Sequence, residues 1–384
     1  MPSFTTGRVS AILSSRPGLQ RVEVDLGSGP ERAYVLTTLT PPVAVGDEVV
    51  VNTTAVELGL GTGGWHVVHW NLALRSWHAP GPGHIMKLRY TSLQVDVGTA
   101  EEHLGTPAEP GTDLEGMPVV VVPLHSQLAA AAVAATVDRP GSRVAYVMTD
   151  GAALPAALSD LLAALRERAL LCGVVTAGHA FGGDLEAVSI PSALWLARRE
   201  LGADLTLVGM GPGIVGTGTA LGTTGVEAAA TLDTAAALGG RPVACLRMSA
   251  ADPRPRHRGL SHHSRTVLRL LCRSRTLVPV PALADAAPVV AALHGTGITA
   301  RHDVRLVPPV GITDHLDALG LAVSSMGRPA AADPLLFEAA AVAARAAFDP
   351  HSGRPVPEQT SAGRACEDGL PTRRDPATEE DHHS

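Results

Sequence analysis

Thirteen residues, Asp252-Pro-Arg-Pro-Arg-His-Arg-Gly-Leu-Ser-His-His-Ser264, hold Arg254, Arg256, Arg258, His257, His262 and His263. Guanidinium groups take phosphate or carboxylate through paired hydrogen bonds. Ser261 stands where it can cap a helix starting near His262, and a helix N-terminus adds partial positive charge. A second anion-binding stretch lies upstream in Gly211-Pro-Gly-Ile-Val-Gly216 and its continuation Thr217, Gly218 and Thr219. Backbone amides of Gly211, Gly213, Gly216 and Gly218, with the two threonine hydroxyls, are suited to cradling a phosphate or carboxylate.

The glycine stretch has the form of a dinucleotide fingerprint. Pro212 removes one amide donor, the glycine run extends to Gly222, and no acidic residue ends the next strand to hold a ribose. A nicotinamide cofactor is therefore disfavoured.

Acid–base or metal chemistry would fall to the histidines and carboxylates near these loops. We expect His179, Asp184, His262 and His263 as catalytic groups, with His125, His179, Asp184 and His262 as candidate ligands of a divalent metal. Asp150, Glu186 and Asp252 are further carboxylates within reach of the same loops. There is no His-Glu-x-x-His and there are no paired cysteines, so metal-assisted and metal-free mechanisms both stay open. Neighbouring histidines on a regular helix diverge, so His262 and His263 are expected to divide into one ligand or base and one that packs. Lys87 is a separate case. Arginine outnumbers lysine 29 to 1, and the one ammonium kept against that bias is assigned to ligand binding.

These residues need elements to position them. Apolar runs at Pro118–Pro123, Arg143–Met148, Leu170–Thr176, Asp204–Val208, Pro242–Met248 and Thr276–Val280 alternate with helical stretches at Gln127–Val137, Ala153–Ala169, Pro191–Leu201, Thr223–Leu238 and Arg265–Cys272. Continuous strand hydrophobicity with helices between predicts an α/β fold, a doubly wound, mostly parallel sheet covered on both faces. Ligands in such sheets bind at the carboxyl ends of the strands. Five consecutive strands lead there into polar or glycine-rich loops: Leu124-His-Ser126, Thr149-Asp-Gly151, Gly178 to Glu186, the glycine stretch, and Ser249 to Ser264.

Before this, Gly7–Leu13, Gln20–Leu26, Arg32–Leu36, Asp47–Asn52 and Trp65–Trp70 alternate with period two and are separated by turn residues. They predict a small antiparallel β-barrel domain over 1–83, in a structural role. The α/β domain then covers 84–348, with a loop at 105–116. The Pro-, Gly- and charge-rich stretch 349–384 cannot bury enough apolar area to order itself.

The whole-chain balance excludes some partners. A net charge of -7 and 3% aromatic residues give neither a basic field nor stacking platforms for nucleic acid. Cys172, Cys245, Cys272 and Cys366 have no paired spacing, and no apolar leader or membrane span is present, so a reduced, cytoplasmic location is expected.

Three stretches, Ala177–Glu186, Met210–Thr219 and Asp252–Ser264, resemble those of an uncharacterised bacterial family, domain of unknown function 3866. The similarity extends to about Phe348 and implies no mechanism. The residues themselves point to a hydrolase or group transferase acting on an anionic, phosphorylated small molecule, with or without a divalent metal. The alternative is a non-catalytic nucleotide or metabolite sensor with the barrel as its interaction module, and a homo-oligomer fits either.

Overall fold

The computed structural model describes residues 1–104 and 113–356. The first five strands, Phe4–Arg16, Leu19–Asp25, Pro30–Val35, Glu48–Asn52 and Trp65–Asn71, close a barrel in the order β1-β2-β3-β5-β4. Inward positions alternate as period two requires, so Val9, Val22, Val24, Ala33, Val35, Val49, Val51 and Val68 form its core. One expectation is corrected: β3 and β5 run parallel, so the barrel is not wholly antiparallel. The crossover from β3 to β4 makes a Greek key, a connectivity that alternation alone does not reveal.

The second part is built on a nine-stranded sheet. In spatial order its strands are Leu185–Ala187, Gly173–Ala177, Val144–Thr149, Leu205–Met210, Pro118–Val121, Arg241–Ala244, Leu277–Pro281, Asp303–Val307 and Arg354–Pro355. All neighbours pair parallel except the last. Helices Leu128–Asp138, Asp160–Glu167 and Pro334–Phe348 pack with one apolar layer, and helices Ile190–Arg199, Glu227–Ala237 and Ala287–Gly295 with the other. The alanine-rich Leu128–Asp138 helix is buried without a break from Leu128 to Ala135, as expected of a helix apolar all round. Small side chains let it lie against Pro334–Phe348, itself mostly buried.

Two segments differ from expectation. The helix foreseen over Ala153–Ala169 shrinks to Asp160–Glu167, because Pro155 and the Ala156–Leu158 turn precede a Ser159 cap. Residues 349–356 are ordered far enough for Arg354–Pro355 to join the sheet edge. The remaining tail, and most of the loop expected at 105–116, lie outside the described residues. Among the described residues no helix is long and apolar enough to cross a membrane.

The barrel docks through the β1–β2 turn. Arg16 and Arg21 both pair with Asp160, at 2.8 and 2.7 Å, and Arg16 also donates to the Ala157 carbonyl. Tyr34 and Trp65 stack at 4.6 Å, with Arg32 and Arg21 over the indole. These ring faces are thus covered by the protein's own guanidinium groups.

Candidate functional site

Because the five loop-bearing strands are mutually parallel, their polar loops all emerge on one edge of the sheet. At its centre is the turn that opens the Glu227–Ala237 helix. Thr223 caps it by accepting from the Gly225 amide, and Glu227 begins the helix proper. A Cβ at Gly225 would stand 3.5 Å from Nδ1 of His263, so the histidine loop lies directly against this turn.

His257, His262 and His263 form a compact group, all three buried. Their ring centroids are 5.0, 5.0 and 4.3 Å apart, and one ring nitrogen from each lies within 4.8 Å of the others. Ser261 organises them: its Oγ accepts from the His263 amide, as a cap should, and bonds Nδ1 of His257 at 2.8 Å. The expected divergence of the His262 and His263 rings is not what the helix shows. They sit in the first turn of a five-residue helix that passes into a π-turn at Val267–Leu271, and both rings turn toward His257.

The surrounding charge is positive. Arg247 is buried and donates to Nδ1 of His263 at 3.2 Å. Arg256 is exposed, and its guanidinium carbon is 4.0 Å from where a Cβ at Gly218 would be. Neither forms a salt bridge among the described residues, though the Asp252 charge acts on Arg247. Arg254 differs, since Asp252 holds it through both carboxylate oxygens and also binds Arg328. Burial first, then these arginines, depress the imidazole pKa values, His257 to about 3 and His263 to about 4, with His262 lowered as well. Burial thus favours the neutral form of each ring, and Arg247 itself is pushed down to about 10 by burial.

Across the Glu227 turn lies a carboxylate pair. Glu227 accepts from the Thr149 hydroxyl, and burial, with a further contribution from the Asp150 charge, raises its pKa to about 7. Asp150 accepts from the His179 amide at 3.0 Å. A carboxyl poised near neutrality is a group that can give and take a proton.

The glycine stretch is a hairpin rather than a dinucleotide turn. Gly216 bridges Thr223, the Thr217 amide donates to Gly222, and Thr219 Oγ1 accepts from the Gly222 amide. Gly213 and Gly218 take left-handed conformations, φ +99° and +86°, that other residues resist. Helix begins only at Thr224, well past the position the fingerprint needs. Gly211 and Gly213 line a cleft of about 490 Å³ with His125, Ser126, Ile214 and Met326. Gly218 instead faces Arg256.

Other expected residues are placed elsewhere. Asp184 accepts from the Val174 amide and pairs with Arg166, at the start of the strand whose far end leads to His179. It therefore stands at the opposite edge of the sheet from His179. The Lys87 ammonium is enclosed by Thr176 O, Ala180 O and Glu186 Oε2, three acceptors for its three hydrogens. Arg258 exposes its side chain and touches the Asp252 carbonyl.

His125 is consumed by structure. Its Nδ1 donates to the Met210 carbonyl, leaving Nε2 to accept from Ser159, the residue that caps Asp160–Glu167. Burial depresses its pKa to about 4 from 6.5. A histidine favoured neutral in the fold contributes stability fully above about 6.5, lost as pH falls through 6.5 toward 4. Glu227 acts with opposite sign as pH rises through 4.5 to about 7. The test is therefore the difference between proteins: His125→Gln should show a shallower fall of melting temperature on acidification than wild type, and parallel curves would refute this.

His257, Arg247 and Glu227 were not assigned roles from sequence. Arg247 carried a usable signal, a cation within the apolar run Cys245-Leu-Arg-Met248. His257 carried only its place among arginines, and Glu227 looked like any first-turn acid.

The mostly parallel sheet, covered by helices and with its polar loops gathered on the carboxyl edge, defines an α/β protein. Residues 32–344 match the family described as protein of unknown function (DUF3866), and the chain belongs to that family. No curated protein and no solved structure matches it.

Proposed function

We propose that the chain is an enzyme that binds an anionic, phosphorylated small molecule at this edge and hydrolyses or transfers its anionic group. What carries the reading is a positive patch: Arg247 and Arg256, without salt-bridge partners among the described residues, stand beside three buried imidazoles. Such a patch is electrostatically incomplete until an anion occupies it. Arg256 and the Gly218 turn then hold the anion, His262 or His263 moves a proton, and Glu227 serves as the acid across the turn.

Calorimetric titration with inorganic phosphate tests this. A hydrogen bond between charged groups contributes about 1.5–3 kcal/mol, so Arg256→Ala should weaken phosphate binding roughly 10- to 100-fold. Equal affinity in the variant would remove the basis of the reading. A screen of phosphomonoesters and phosphodiesters for phosphate or alcohol release then separates enzyme from sensor. The sensor reading draws on one observation, that the barrel docks on Asp160 in a segment following one of the loops at this edge. It predicts a change of oligomeric state on phosphate binding and no product.

A further inference from the structure

We propose that His257, His262 and His263 form a mononuclear divalent-metal site with an open fourth position, for which zinc is the cation best suited. This goes beyond the anion reading, which needs only the arginines and a proton-transfer group; with the imidazoles ligating, that proton transfer falls to Glu227.

Three observations carry it. One ring nitrogen from each histidine lies within 4.8 Å of the others. Tetrahedral zinc with nitrogen ligands at about 2.0–2.1 Å would bring those nitrogens to about 3.4 Å apart, so loading the ion draws the rings together. Nε2 of His262 is buried with no hydrogen-bond partner, while the residue is 7% exposed. A buried imidazole nitrogen without a hydrogen-bond partner is costly to leave so, and in the tautomer that carries its hydrogen on Nδ1 a cation satisfies the lone pair. Ser261 Oγ lies 2.8 Å from Nδ1 of His257, where it can accept that N–H and leave Nε2 for a metal, the outer-shell arrangement typical of ligating histidines.

The arginines set limits on this site. Asp252 neutralises Arg254, and Arg247 donates to Nδ1 of His263 at 3.2 Å. Loading an ion through that nitrogen exchanges the Arg247 hydrogen bond for a coordinate bond. Three imidazoles without carboxylate or thiolate favour zinc over magnesium or calcium, which prefer oxygen. A dication here would add to the positive patch and strengthen it for an anion.

The test uses the full chain carrying His382→Gln and His383→Gln, so that the C-terminal histidines do not scavenge metal. After chelator treatment, zinc should bind with one equivalent per chain, and cobalt should give the intense visible bands of a tetrahedral nitrogen site. His262→Gln and His257→Gln should each lose the equivalent and the bands, whereas His179→Gln keeps both. Stoichiometric metal that survives both trio variants, or no bound metal in the wild-type chain, overturns the proposal. The cobalt spectrum of the parent chain decides even if a variant misfolds, since octahedral, weak bands are equally fatal. Phosphate titration of the chelated chain keeps the readings apart: phosphate bound without any zinc site sinks only the metal, and zinc bound without phosphate sinks only the anion.

Discussion

Lys87→Met should destabilise the protein by about 3–5 kcal/mol, the usual cost of removing one partner from a buried ion pair. The ammonium is 1% exposed and 2.7 Å from Glu186, whose carboxylate also accepts from Thr176 Oγ1 and the Gly182 amide. Burial lowers the lysine pKa, and the Glu186 charge opposes that shift. Removing the cation leaves a carboxylate and two carbonyls facing apolar surroundings. Lys87→Arg should fail to rescue, because a planar fork cannot direct three bonds from one point to Thr176 O, Ala180 O and Glu186. The double variant Lys87→Met, Glu186→Met should recover stability relative to Lys87→Met alone. An unchanged melt for Lys87→Met, or full rescue by arginine, would refute this account of why one lysine persists in an arginine-rich chain.

Asp252→Ala should cost about 3 kcal/mol, the lower end of the same range because its arginine partners keep some contact with water. Asp252 is 2% exposed and receives Arg254 through two side-chain bonds, the Arg254 amide, and Arg328 from a distant part of the chain. Its hydrogen bonds with Arg254 hold the carboxyl well below the ordinary Asp range. A depressed carboxyl contributes stability above its unfolded pKa of 3.8 and loses it as pH falls below that value. Urea melts should therefore separate wild type and variant widely at neutral pH and bring them together in strong acid. A gap that does not narrow there would mean that packing, not charge, carries the effect. The variant should also disturb the histidine group, since Arg254 is then released beside His257.

A good part of this protein is legible in its sequence, and for local reasons. Period-two alternation gave all five barrel strands, because one face of each must be buried. Unbroken apolar runs between helices gave the six principal strands of a sheet covered on both sides. Parallel strands put every following loop on one edge, so polar loops after five strands already located the candidate site. Ser261 was readable as a cap because capping depends on the next few residues.

Tertiary structure decided what those loops do. Glu186 and Asp184 are neighbours in sequence, yet Glu186 closes around Lys87 while Asp184 lies beside Val174 at the start of the strand. Chain spacing could not separate them, because a strand and its return loop bring residues ten apart into contact with either end. The loop that carries His257, His262 and His263 is held in place by long-range ties, Asp252 to Arg328 and Ser249 to Asp333, bonds spanning 76 and 84 residues. The sequence determined which residue types reach the carboxyl edge, since strand direction is set by local pattern and parallel pairing. Which of them converge was decided by buried polar contacts across the chain, whose energies depend on burial and geometry that exist only after folding.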